Sequence, residues 1–104
     1  MSSQFARQST VKDVNDTDQR IQITGYVKNI VGDESFMLDD NTGKINISIK
    51  SVDFKFQEND LINVIGEIVK AGQKLTLVAE IIQDMNKLNF EYFLKLYELR
   101  KKIG

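Results

Sequence analysis

Neither cysteine nor histidine occurs in the sequence, and no apolar run approaches the roughly 18 residues that a membrane-spanning helix needs. Without Cys there are no disulfides and no thiolate metal sites. Without His, the commonest metal ligand and the commonest general base near neutral pH are both missing. Neither "NTGKIN" nor "AGQKLT" supplies a Gly-Lys pair followed by Ser or Thr, so no phosphate-binding loop of that type is expected. These absences disfavour an enzyme. No cofactor, no metal and no small-molecule substrate is expected. The N-terminus is too polar for a signal peptide, so an intracellular protein with no membrane contact is expected.

What is present fits one small globular domain: 104 residues, 41% of them hydrophobic. The net charge of −1 argues against a strong stand-alone polyanion binder. The charge is unevenly spread. Over residues 1–84, nine Lys or Arg against thirteen Asp or Glu leave −4; over 85–104, five against two leave +3. Cations at the end of "ELRKKIG" suit a helix C-terminus, where the macrodipole favours them.

Residues 1–18 are polar and read as a flexible tail. From Gln19 the pattern turns to period two. Ile21, Ile23, Gly25 and Val27 share one side against Gln22, Thr24, Tyr26 and Lys28; Phe36 and Leu38 alternate with Ser35 and Met37; Ile45, Ile47 and Ile49 alternate with Lys44, Asn46, Ser48 and Lys50. These are three half-buried strands. "LINVIGEIV" and "KLTLVAEIIQ" carry apolar residues on both phases, as strands covered on both faces do. "KAGQK" joins them as a hairpin with Gly72 at its tip. Gly25 and Gly66, inside strong strands, predict bulges or sharp bends. Phe54 and Phe56 are expected to close one end of the core. The chain then ends in a helix capped by Asn86 or Asn89. Five strands and a helix in about a hundred residues predict an all-β OB-fold, a five-stranded Greek-key barrel over residues 19–85 with a C-terminal α-helix over 86–104.

The acidic stretch "DDNTG" (39–43) invites a metal-site reading, which fails on spacing. Counted as an EF-hand from Asp39, Gly43 falls on a ligand position and Lys50 on the terminal Glu. As a hairpin turn it works: Asp and Asn accept local backbone hydrogen bonds, and Gly43 is expected to supply a positive φ.

On "ITGYV", "FMLDDNTGKINI", "NDLINVIGEI" and above all "LVAEIIQDMN" running into an aromatic helix, residues 19–102 resemble the middle subunit of replication protein A, the trimeric single-stranded-DNA-binding factor of eukaryotes and archaea. The related telomere-capping trimer shares the "LDD-x-TG-x-I" hairpin. The resemblance implies a nuclear protein if eukaryotic, or one of the cytoplasm and nucleoid if archaeal. It also implies weak intrinsic single-strand affinity and a helix that joins helices of other OB-fold subunits in a hetero-oligomer. That family carries a stacking Trp near the end of the third strand; here there is no Trp, and Lys50 lies about there. Its long phosphorylatable tail and C-terminal winged-helix domain have no counterpart in these residues, as expected of a trimmed chain, a reduced homologue or a small subunit on the same plan.

Two faces follow as expectations. In OB folds nucleic acid crosses the outer side of the second and third barrel strands. The outward residues there are Tyr26, Lys28, Met37, Lys44, Asn46, Ser48 and Lys50: lysines to track phosphates, Tyr26 and Met37 to meet a base. On the helix, at about 100° per residue, Leu88, Tyr92, Leu96, Leu99 and Ile103 fall within a sector roughly 80° wide. Phe90, Phe93, Leu94 and Tyr97 form a second sector. So much apolar circumference exceeds what packing on one small barrel requires. A subunit interface of Leu88, Phe90, Tyr92, Phe93, Leu96, Tyr97, Leu99 and Ile103 is therefore expected. Beside this non-catalytic subunit reading stand two others: a pure protein-interaction OB module in a telomere or genome-maintenance assembly, and an RNA-binding OB domain, which would require a more basic barrel.

Overall fold

The computed structural model describes residues 7–14, 19–50 and 52–103. In chain order the strands are β1 (Arg7–Ser9), β2 (Arg20–Val31), β3 (Ser35–Asp39), β4 (Lys44–Ser48), β5 (Leu61–Ala71) and β6 (Lys74–Asp84), followed by helix α1 (Phe90–Ile103). β2 is long enough to pair with β3 through its second half and with β5 through its first. β3 pairs with β4, β4 runs parallel to β6, and β6 pairs with β5. The ring β2–β3–β4–β6–β5 thus closes on itself, giving the OB barrel the alternation predicted.

The inward residues are those of the apolar phase. Ile21, Ile23, Val27, Phe36, Leu38, Ile45, Ile47 and Ile49 are all at most 5% exposed, joined by Ile62, Val64, Leu77 and Ala79 from the last two strands. At the β2–β3 turn, Phe54 stacks on Phe36 with ring centroids 4.8 Å apart and Phe56 lies against it, closing that end as expected. Gly66 marks a bulge: the β5–β6 register shifts beside it, and a Cβ there would lie 2.0 Å from the Val78 carbonyl oxygen. Gly25 serves a close approach instead, since a Cβ would sit 2.8 Å from the Asp39 carbonyl oxygen.

The expected tail needs correction over residues 7–14. β1 adds a sixth, parallel strand to the half of β2 that β3 does not reach. A 3-10 turn at Val11–Asp13 follows, and Val11 and Val14 pack against the core. The acidic corner holds this strap. Asp40, fully buried, accepts the Val11 amide at 2.8 Å, the Thr42 amide at 2.9 Å and the Thr42 hydroxyl at 2.6 Å, and the Lys12 amide reaches the Thr42 hydroxyl at 3.2 Å. The positive φ of the turn belongs to Asn41 (φ 71), not to Gly43. Gly43 instead leaves room for Val11, whose Cγ1 would lie 3.0 Å from an added Cβ. The remaining tail positions, 1–6 and 15–18, lie outside the described residues.

Candidate nucleic-acid and partner interfaces

Register places the outward side chains in rows. Lys28, Met37, Asn46 and Thr76 are successive partners across β2, β3, β4 and β6. Tyr26, Asp39 and Lys44 make the next row, and Ser35, Ser48 and Val78 the one on the other side. Rows two residues apart lie roughly 6.6 Å from one another, about the spacing of successive nucleotides in an extended strand. Lys44 and Lys50 are exposed, whereas Met37, Asn46 and Ser48 are half-buried. Asn46 donates to the Thr76 hydroxyl at 3.3 Å. This face can attract a polyanion and present a few hydrogen-bonding groups.

Two of the residues expected on it are engaged elsewhere. The Tyr26 and Phe90 rings pack edge to face, centroids 5.3 Å apart at 84°, so the helix start lies against Tyr26. The Lys28 ammonium is hydrogen-bonded to Asn59 Oδ1 from the β4–β5 connection. Neither engagement is visible in strand alternation, because both partners come from distant segments.

The helix begins later than expected. Asn89 caps it, accepting the Tyr92 amide at 3.1 Å. Asn86, the other candidate, ties the chain to the barrel instead: its side-chain oxygen accepts the Leu61 amide at 2.9 Å. Phe90 is only 5% exposed, so it leaves the expected subunit interface and joins its own barrel; Phe93 stacks beside it. Farther along, Asp13 of the strap clasps the helix. One carboxylate oxygen accepts Thr10 Oγ1 at 3.2 Å, the Tyr97 hydroxyl at 2.8 Å and the Lys101 ammonium at 2.8 Å. These bonds hold the Asp13 carboxyl below its usual pKa, Lys101 foremost and then Tyr97. Burial, then the bond to Asp13, raises Tyr97; the bond to Asp13 raises Lys101. Sequence reading missed this clasp, which joins positions 84 and 88 residues apart.

Leu88, Phe93, Leu96 and Tyr97 are half-buried, while Tyr92, Leu99 and Ile103 are 60%, 52% and 79% exposed. The two apolar sectors are therefore used differently. Phe90 and Tyr97 face the chain's own barrel and strap; in the other sector Tyr92, Leu99 and Ile103 are open and Leu88 and Leu96 half-buried. Between α1 and the β1–β2 side of the sheet runs a groove of about 670 Å³, with Gln8 and Gln22 on the sheet side and Phe93, Leu96 and Tyr97 on the helix side. Arg7, Arg100 and Lys101 also line it.

Comparison with solved structures bears on the fold. The telomere capping protein Ten1 from Saccharomyces pombe matches with a TM-score of 0.77 at 17% identity, over 94% of this chain and 99% of that one. A chain of the S. pombe Stn1–Ten1 complex matches with a TM-score of 0.81 at 17% identity, over 96% and 95%. A chain of a replication protein A heterotrimer bound to single-stranded DNA matches with a TM-score of 0.55 at 11% identity, over 73% and 63%. No family model and no curated protein sequence matches. At these identities the likenesses show the fold, an OB barrel with its C-terminal helix.

Proposed function

We propose that the chain is a non-catalytic OB subunit of a heteromeric single-stranded-DNA-binding assembly, joined to its partner through the open sector of α1. One observation carries the reading: the helix spends Phe90 and Tyr97 on its own chain and leaves Tyr92, Leu99 and Ile103 exposed on the opposite side. A row of large apolar side chains at 4-3-4 spacing, held rigid by a cap and a clasp, is a helix-pairing surface. The Ten1 likeness spans helix as well as barrel, and a Stn1–Ten1 complex and a replication protein A heterotrimer are both multi-subunit assemblies, which supports the same reading. The β3–β4 face supplies the subsidiary DNA contact through Lys44, Lys50, Met37, Asn46 and Ser48, and Tyr26 and Lys28 need to release their present partners to take part.

That last requirement favours one alternative, a pure protein-interaction module of a telomere-type assembly, in which the face binds nothing. The test is quantitative affinity purification of the full chain from its native cells, wild type against Leu99→Asp/Ile103→Asp. Both positions are exposed, so the barrel is expected to keep its melting temperature while a co-purifying OB subunit is lost. An unchanged set of partners in the double variant, or a wild-type chain that is monomeric in native extract, overturns the assignment.

A further inference from the structure

The chemistry of the partner is written around the open stripe. At about 100° per residue, Tyr92, Leu96, Leu99 and Ile103 span about 60° of α1; Arg100 lies about 40° beyond Leu96, and Lys95 and Lys102 lie about 40–60° beyond Leu99 on the other side. The helix glutamates, Glu91 and Glu98, lie farther from the stripe, about 80–100° from Leu99 and about 20–40° beyond Lys102. Glu98 is moreover drawn toward Lys12 and Lys101, with nitrogen–oxygen distances of 3.6 and 3.9 Å. Cations thus bracket the apolar stripe on both edges. The Arg100 edge borders the groove, which Arg7 and Phe93 also line, while Lys101 on its wall is held by Asp13.

We infer that the stripe, at the groove's edge, receives an acidic-flanked amphipathic helix, apolar residues seated on Leu96, Leu99 and Ile103, with carboxylates facing Arg100 on one side and Lys95 and Lys102 on the other. Flanking charges of this kind set partner choice in paired helices. A second copy of this chain does not meet the requirement. Its own flanks are cationic in either orientation, so like charges would face each other along both edges. The inference rests on the reading of α1 as a partner surface and adds the sign of the partner's charge.

The experiment uses the full chain, isotopically labelled, and two synthetic helical peptides with identical leucines at 4-3-4 spacing, one with Glu and one with Lys at every flanking position. The Glu peptide is expected to bind at least about tenfold more tightly than the Lys peptide at low salt, a difference a few partly exposed charge pairs can supply. That preference shrinks as salt rises. Amide shifts are expected at Gln8, Leu96 and Arg100, and Arg100→Glu with Lys102→Glu inverts the preference while the melting temperature holds. Equal binding of both peptides overturns the charge inference and leaves the partner surface standing. Binding of neither overturns both. Groove shifts produced by an oligo-dT strand but not by the Glu peptide assign the cations to nucleic acid and refute the proposal, and sedimentation showing a stable homodimer refutes it as well.

Discussion

Replacing Asp40 by Ala tests whether the N-terminal strap is integral to the barrel. Asp40 is fully buried and its carboxylate accepts three hydrogen bonds: two from Thr42, closing the corner, and one from the Val11 amide, which binds the strap. Hydrogen bonds to a charged acceptor contribute roughly 1.5–3 kcal/mol each. The Thr42 groups lie near the surface and regain water when the carboxylate is removed, whereas the Val11 amide, set beside a packed side chain, regains less. Summed on that basis the loss is about 3 kcal/mol, equivalent to a fall of roughly 12 °C in melting temperature for a domain of this size. Asp40→Asn is informative because its amide oxygen replaces one acceptor atom while its NH2 opposes either the Val11 or the Thr42 donor. It is expected to lose about half as much. Thermal unfolding gives the magnitude, and hydrogen exchange at Val11 and Lys12 gives the place. If Asp40→Ala costs less than about 1 kcal/mol and the Val11 amide stays protected, the corner does not hold the strap and the reasoning fails.

Three further outcomes are expected. Lys28→Glu, Lys44→Glu and Lys50→Glu combined abolish residual oligo-dT binding in fluorescence anisotropy and leave partner co-purification intact; unchanged binding refutes the face. Gly66→Ala places a Cβ 2.0 Å from the Val78 carbonyl oxygen, so the bulge must open, at a cost on the order of 3 kcal/mol by chemical denaturation, while Gly72→Ala meets no neighbouring atom and costs about 1 kcal/mol, from the positive φ alone. Asp13 has a depressed pKa, so its clasp contributes stability that is present above the unfolded value of 3.8 and is lost as pH falls through the folded value; Tyr97, raised above 10.0, contributes stability lost as pH rises past that point. Asp13→Asn therefore lowers neutral stability modestly, the ion pair with Lys101 being partly exposed, and flattens the acid limb of the stability profile by the same amount; an acid limb identical to wild type refutes the clasp.

The first three barrel strands were legible because period-two alternation is a local property; the last two, apolar on both phases, were legible from their apolar runs. Ile21 to Val27, Phe36 with Leu38, and Ile45 to Ile49 each declared their inward phase without help from the rest of the chain. The strap was not legible, because its evidence is divided between places far apart. Val11 and Val14 look like stray apolar residues until Asp40, 29 positions from Val11, is seen to accept the backbone amide between them and the sheet. The acidic corner forms the expected hairpin turn, but turn chemistry alone predicts acceptors for its own backbone, not a third bond to another segment. The candidate site shows the same division. Lys44 and Lys50 stand exposed as alternation predicts. Tyr26 alternates equally well, yet the first residue of the helix, 64 positions later, takes its ring.

That contact has a consequence for how the two faces relate. Tyr26 lies on β2 in the row with Lys44 on β4, and it touches Phe90, the first helical residue. A base that takes the side of Tyr26 packed against Phe90 must displace Phe90, whose burial contributes roughly 1.5–3 kcal/mol, comparable to the 1–3 kcal/mol that stacking returns. On the isolated chain the exchange is close to neutral, and single-strand affinity from this aromatic is small. A partner that anchors α1 by its open stripe fixes Phe90 more firmly and lowers that affinity further, unless the partner itself repositions the helix start. Phe90→Ala frees Tyr26 and is expected to raise oligo-dT affinity several-fold while lowering stability by about 3 kcal/mol. Equal affinity in Phe90→Ala and wild type, measured at a temperature where both are folded, would show that Tyr26 takes no part in binding and that the face works through its lysines alone.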